Sequence, residues 1–317
     1  MPPIEHQPHP HAAPLGHHAT RPVAETPADP PALPHPTPGD RRRQALRPHW
    51  GNAAMLTAAH LACLAGPFVF SWSGLALCAI LFWVTSCLGI TLGWHRLLTH
   101  RSFDCPRWLR LTLTAVGCLT LQHGPIEWVG THRLHHKHTD HDDDPHSPRH
   151  GFLWSHMRWT FLKTHPDPRP YARDLQRDPA VARIDRYYWT IPLALALILL
   201  AVGEAIAPGL GLSWVVWGVA IRTVLVFHAI WFVNSAAHTW GYRNFPDAKD
   251  DARNNWWVAL IAFGEGWHNN HHAEPRCAAH GRRWHEFDPT YLTIRLLAKL
   301  GLAWNIKTPG PLPNEQK

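Results

Sequence analysis

Hydrophobic and polar positions divide the chain into long uncharged runs and equally long polar stretches. Residues Ala53–Phe70, Trp72–Leu92, Ile191–Leu212 and Ser213–Val233 are nearly free of charge, interrupted only by Glu204 and Arg222. Each holds about 18–22 residues, enough for a helix to cross a hydrocarbon core of roughly 30 Å. The four runs come in two adjacent pairs and predict two helical hairpins. The overall mean hydropathy of −0.22 averages these spans with a polar head and a polar middle, so it does not indicate a soluble protein.

Charge distribution orients the hairpins. Arg41, Arg42, Arg43 and Arg47 precede the first run, a dense basic set from Arg96 to Arg186 follows the second, and Arg243 opens the segment after the fourth. The short connections near Ser71–Gly74 and Pro208–Leu212 carry no Lys or Arg. The positive-inside rule then places both termini and the long middle in the cytoplasm. The net charge of +7 fits that topology and an anionic membrane surface. No zinc-finger, RNA-binding or helix-turn-helix pattern accompanies it, so nucleic acid is not an expected partner.

Residues 1–50 hold 13 of the 30 prolines and seven histidines with almost no aliphatic run, which predicts a disordered cytoplasmic tail. A membrane domain is expected over 51–307 and a short C-terminal tail over 308–317. No apolar run follows an N-terminal charge cluster, so no cleavable secretory signal is expected. The six cysteines form no CxxC pair and several lie in apolar runs, which predicts reduced packing residues.

The candidate chemistry is ten metal-ligand residues in four short stretches: His95 and His100; His132, His135 and His136; Asn234 and His238; His268, His271 and His272. Nine imidazoles are too many for one mononuclear zinc and suit a nitrogen-rich site for two redox metals. On a helix, positions i, i+3 and i+4 share a face, so each His-x-x-His-His run is expected to aim three rings at one point and make half of a cage. His95 and His100, five apart, do not share a narrow helical stripe, which predicts a helix end or a break between them. Glu127, Trp128, Glu265 and Trp267 flank the boxes and are candidates for orienting histidines from behind. The run Asp140, Asp142, Asp143 and Asp144 lacks the central Gly and terminal Glu of an EF-hand and is read as a turn. Arg222, mid-span, is expected to point inward at a polar partner.

These motifs together identify a resemblance. Gly89-Ile-Thr-Leu-Gly-Trp-His95, His132-Arg-Leu-His-His-Lys137, Asp144-Pro-His146, Asn234-Ser-Ala-Ala-His238 and Gly264-Glu-Gly-Trp-His268-Asn-Asn-His-His272 resemble those of integral-membrane fatty acid desaturases of the Δ9, stearoyl-CoA-desaturase-like branch, over about Trp50 to Lys307. The resemblance implies an all-α integral-membrane fold, with four transmembrane helices and a helical cytosolic cap holding a dimetal centre. It implies that the nine histidines are direct ligands of two irons and that Asn234 reaches its metal through a water. It also implies O₂-dependent insertion of a cis double bond into a saturated acyl chain. Breaking an unactivated C–H bond needs a strong oxidant, and two irons can share the electrons that reduce O₂. A hydroxylase or ketolase built on the same three boxes is the competing reading.

The animal acyl-CoA enzymes carry an Arg-Asp pair before the second box, where this chain has Gly130-Thr131, so the substrate is expected to be an acyl-CoA or an acyl-lipid. No His-Pro-Gly-Gly haem motif occurs, so electrons are expected from a separate ferredoxin or cytochrome b5-like partner and its reductase. The second span runs into the first box. Trp83, 12 residues before His95 and hence roughly 18 Å away along a helix, is the expected floor of the acyl tunnel, with Ala79 one turn beyond.

Overall fold

The computed structural model describes residues 47–162 and 167–313, and the tail expected over 1–50 lies almost wholly outside them. Among the described residues all regular structure is helical, and extended pairing is limited to isolated bridges such as Asp104 with Trp304. Helix α1, Trp50–Cys63, starts where the His49 ring accepts from the Asn52 N–H, and it ends ahead of a 3₁₀ turn over Gly66–Val69 that contains Pro67. The first expected run is therefore a 14-residue helix plus a turn.

Helix α2 is continuous from Trp72 to Thr99, and α8 from Leu210 to Thr239; at 28 and 30 residues both are long and apolar enough to cross a membrane. A third candidate is the pair α6, Pro179–Arg186, and α7, Thr190–Ile206, bent by 60° at the junction. By length and composition, then, two helices or up to three among the described residues fit a crossing, against four expected. Large apolar side chains stand outward along these helices: Leu61 and Leu64 on and just past α1, Ile80 on α2, Leu197 and Ile206 on α7. On a water-soluble surface such a band would be a liability; against lipid it is neutral.

The winding of α2 explains the first box. From Trp83 to Thr99 the helix is a π-helix, closed by i→i+5 hydrogen bonds, and the His100 N–H donates to the His95 carbonyl. Residues five apart are then neighbours on one face. His100 stands at the C-cap just past Thr99, so the expected helix end does fall between His95 and His100. Tight packing anchors this segment on α3, Arg107–Cys118: a Cβ on Gly89 would lie 2.9 Å from the Gly117 Cα, so these two backbones touch, and Trp94 donates its indole N–H to the Thr114 carbonyl at 2.9 Å.

The cap is built from short helices that begin at strong caps. Helix α4, Pro125–His138, has its Ile126 N–H held by the Asp185 carboxylate at 2.9 Å. Helix α5, Phe152–His156, lies against α8, and α9, Trp256–Ile261, is capped by Asn255. Helix α10, His268–Ala273, carries the last box, and α11, Pro289–Lys299, is capped by Asp288. Arg222 is fully buried, as expected of a mid-span cation, and donates to the carbonyls of Gly218 at 3.1 Å and Leu119 at 2.7 Å. All six cysteines are free.

Candidate metal centre

The nine histidines assemble into two adjoining clusters. His95, His100, His132, His136 and His271 form the first; His135, His238, His268 and His272 form the second. The triplets do not act as units. On α4, His132 and His136 turn to the first cluster and His135 to the second; on α10, His268 and His272 turn to the second and His271 to the first. At 100° per residue, i and i+4 lie about 40° apart while i+3 and i+4 are separated by a full 100°. The expectation that each triplet meets at one point is thereby corrected: each helix serves both clusters. The His136 and His272 ring centroids, one from each cluster, are 4.6 Å apart.

Within the first cluster the ring nitrogens converge. The Nε2 of His271 is 2.9 Å from that of His136 and 3.1 Å from that of His95, while the Nε2 of His132 is 3.1 Å from His136 and 3.2 Å from His100. In the second cluster the Nε2 atoms of His135 and His272 are 3.4 Å apart. With metal–nitrogen bonds of about 2.1 Å, nitrogens on one metal sit roughly 3.0 to 3.4 Å apart, so the observed spacing fits an ion at the centre of each group. Lone pairs aimed at one another over these distances repel unless a cation lies between them. Burial pushes the imidazoles of His100, His132, His136, His268, His271 and His272 well below their ordinary range, with neighbouring histidines adding to the effect. They are neutral near pH 7, the form a metal requires.

Four carboxylates stand behind the rings. Glu265 Oε2 takes His95 Nδ1 at 2.5 Å, Asp144 Oδ2 takes His135 Nδ1 at 2.9 Å, Asp140 Oδ1 lies 3.1 Å from His238 Nδ1, and Asp250 Oδ2 lies 3.2 Å from His272 Nδ1. A carboxylate on Nδ1 holds the proton there and leaves the Nε2 lone pair facing the cluster. The His238–Asp140 pair is close enough for charge attraction but is poorly aligned for a hydrogen bond. Burial would raise the Asp144 carboxyl, yet His135 and His146 hold it far below the usual range. His135 is the exception among the rings: burial lowers it, but Asp144 outweighs that and the net shift is upward. The acidic run read as a turn thus supplies two of the four carboxylates, Asp140 and Asp144.

Of the flanking residues singled out from the sequence, Glu265 meets His95, and the Trp128 ring stacks on His132 with centroids 5.3 Å apart. Glu127 does not reach a cluster: its carboxylate lies 3.4 Å from His123 and 4.0 Å from Arg169. Trp267 is spent on the fold, donating its indole N–H to the Phe287 carbonyl at 2.8 Å. Arg96, fully buried beside His95, was missed by sequence reasoning. It holds Glu265 at 3.1 Å and Asp288 at 2.9 Å.

A cavity of about 470 Å³ opens onto both clusters through His95, His132, Asn234 and His268. Its lining is mostly apolar, with Met55, Leu56, Ile90, Phe227, Ile230, Trp231 and Val233 among its apolar residues and Asn52, Gln122, Glu127 and Thr160 among its polar ones. No Lys or Arg is among the described lining residues. Trp83 and Ala79 are absent from that lining. Both are exposed on α2, and the apolar lining residues come instead from α1, from Ile90 on α2 and from α8. Ile90, Thr91 and His95, all within the π-wound part, are the α2 residues that face the cavity.

The family model described as fatty acid desaturase matches residues 70–306. The chain is 47% identical over 263 residues to an sn-1 stearoyl-lipid 9-desaturase of Anabaena variabilis, covering 82% of this chain and 94% of that one. It is 45% identical to an sn-2 palmitoyl-lipid 9-desaturase of Nostoc sp. (strain 36), covering 83% and 91%. An acyl-CoA 5-desaturase of Anemone leveillei is 42% identical over 79% of this chain and 77% of its own length.

Proposed function

The chain belongs to the fatty acid desaturase family, and on that premise we propose that it inserts a cis-Δ9 double bond into acyl chains esterified in glycerolipids, using two irons held by the nine histidines. The carrying observation is the convergence of nine histidines, six of them buried and three half-buried, into two adjoining clusters that line a mostly apolar cavity. His95, His100, His132, His136 and His271 hold one metal. His135, His238, His268 and His272 hold the other, and Asn234, on the cavity wall, reaches it through a water. Five nitrogens in one group exceed the tetrahedral set of structural zinc and leave iron the better fit to an O₂-consuming family.

The bound metals supply the oxidising power that removes hydrogen from two adjacent methylenes. Two electrons and two protons from outside join the two substrate hydrogens to reduce one O₂ to two waters. The electrons come from a separate ferredoxin or cytochrome b5-like partner. This chain's own residues fix the position and keep water out. Adjacent methylenes hardly differ chemically, so regiochemistry is set by which carbon the cavity holds beside His95, His132 and His268. The carboxylates behind the rings keep that geometry through turnover.

Two observations favour an acyl-lipid over an acyl-CoA. A Cβ on Gly130 would lie 2.3 Å from the Pro168 carbonyl oxygen, so the place taken by the CoA-handling arginine in animal enzymes cannot carry a side chain unless that segment moves. The relatives of Anabaena variabilis and Nostoc sp. (strain 36), at 47% and 45% identity, are named for lipid-linked substrates. We also propose that both termini and the metal centre face the cytoplasm, on the charge asymmetry of the chain.

Expression in a host with a defined saturated acyl pool, followed by gas chromatography of separated glycerolipid and acyl-CoA fractions, tests the reading. A cis-Δ9 monoene appearing first in glycerolipid is expected. Appearance first in the CoA fraction would overturn the carrier assignment, and an added hydroxyl would overturn the reaction.

A further inference from the structure

A tenth imidazole sits inside the centre and belongs to none of the boxes. His280 is 1 % exposed and comes from the loop between α10 and α11, eight residues after His272. Its ring centroid is 4.4 Å from that of His271 and 5.4 Å from that of His95, both of the first cluster. Its Nδ1 lies 3.4 Å from Glu265 Oε2, the same oxygen that takes His95 Nδ1. Neither ring nitrogen of His280 makes a well-aligned hydrogen bond.

Burying two unsatisfied ring nitrogens is a cost that an apolar side chain of the same size would avoid, so packing alone does not account for a histidine here. The backbone is fixed with equal care. The His280 N–H donates to Asp288 Oδ2 at 2.8 Å, and its carbonyl accepts from the Asn270 side chain at 2.8 Å, Asn270 being the residue before His271. Arg96 ties the two carboxylates together, with one edge on Glu265 and the other on Asp288. The ring and the main chain of His280 are thus both referenced to the frame that carries His95.

Resting on the two-metal reading above, we propose that His280 is a positioning residue for the first cluster: with Glu265 it fixes the orientation of His95. Oε1 of Glu265 is held by Arg96, while Oε2 is shared by His95 and His280. Removing the His280 contact leaves that oxygen free to rotate with His95 alone. The consequence falls on one metal, because no residue of the second cluster touches Glu265 or His280 in this way.

The test uses full-length protein in detergent micelles, with iron content per chain and the rate of iron removal by a chelator as readouts. In His280→Leu the first-cluster iron should be lost about 10- to 100-fold faster while the second stays, the size of effect typical of groups behind metal ligands. His280→Asn, whose side-chain N–H₂ can stand in for Nδ1, should return to within about threefold of wild type. The double variant His280→Leu/Glu265→Gln should lose iron no faster than Glu265→Gln alone, since both changes act through one carboxylate. Equal loss of both irons, identical behaviour of the Leu and Asn variants, or additive effects in the double variant would each overturn the proposal. Fewer than two irons in the wild type would instead overturn the two-metal reading on which it rests.

Discussion

His135 and His136 are adjacent in the chain, yet they face different metal positions, so substituting them one at a time should empty different sites. His136→Ala reduces the first cluster from five nitrogens to four; His135→Ala reduces the second from four to three. Four-ligand metal sites in small proteins bind with roughly 10–16 kcal/mol, or about 3 kcal/mol per ligand, which converts to a loss near 150-fold for one ring. The three-nitrogen remnant in His135→Ala also removes one partner of Asp144, whose Oδ2 faces His135 at 2.9 Å and keeps the Asp140 N–H at 2.9 Å. His136 has no such carboxylate among the four identified. The His135 variant is therefore expected to hold one iron per chain after gel filtration without added metal, with no product formed. The His136 variant should retain a larger part of its second iron. Metal analysis alongside a chelator-release time course measures both. The split of the triplets would be refuted if the two variants lost the same iron at the same rate, or if each lost both irons together.

Further outcomes follow from the cavity, the cap and the tail. Phe227, two turns before Asn234 on α8, belongs to the apolar lining, and Phe227→Ala should admit about two more methylenes; at about 0.8 kcal/mol each, preference for C18 over C16 chains should rise roughly 15-fold in a competition measured by gas chromatography. Burial would raise the Asp174 carboxyl, but the Arg133 and Arg101 guanidiniums bring it down to about 2, so the stability it adds is full above the unfolded value near 4 and is lost as pH falls from about 4 toward 2. The unfolding difference between wild type and Asp174→Asn, followed by tryptophan fluorescence in denaturant, should accordingly vanish across that window and stay constant from pH 5 to 8. Deleting residues 1–40, which precede every span and every box, should leave turnover per inserted molecule unchanged; a large fall in that ratio would give the tail a part in the reaction.

Spacing alone located all nine histidines, because an i, i+3, i+4 pattern survives whatever the helix packs against. Which ring meets which metal was not legible. That depends on the register between α4 and α10, two helices more than 100 residues apart, and the sequence carries no record of it. The carboxylates Asp140, Asp144 and Asp250 were hidden for a related reason: each serves a ring through a loop closure, and a loop has no periodicity to read. His280 was invisible because a single histidine outside a motif is ordinary. Trp83 misled through its winding. A distance counted at 1.5 Å per residue holds for an α-helix, but the face a side chain presents changes when the bonds run i→i+5, and Trp83 marks the start of that change.

The π-wound stretch of α2 makes the metal centre sensitive to residue count as well as to residue identity. Loss of a few residues between Trp83 and Trp94 would favour closing the segment as an α-helix over the same axial length. Each side chain upstream would then keep a hydrophobic environment, and the protein would remain insertable and compact. His95 and His100 would no longer share a face, and the first cluster would open by one ring. Length variation in this span is thus filtered by chemistry where hydropathy would pass it, so the spacing from the Trp83 end of the π segment to the first box behaves like a reading frame for the metal.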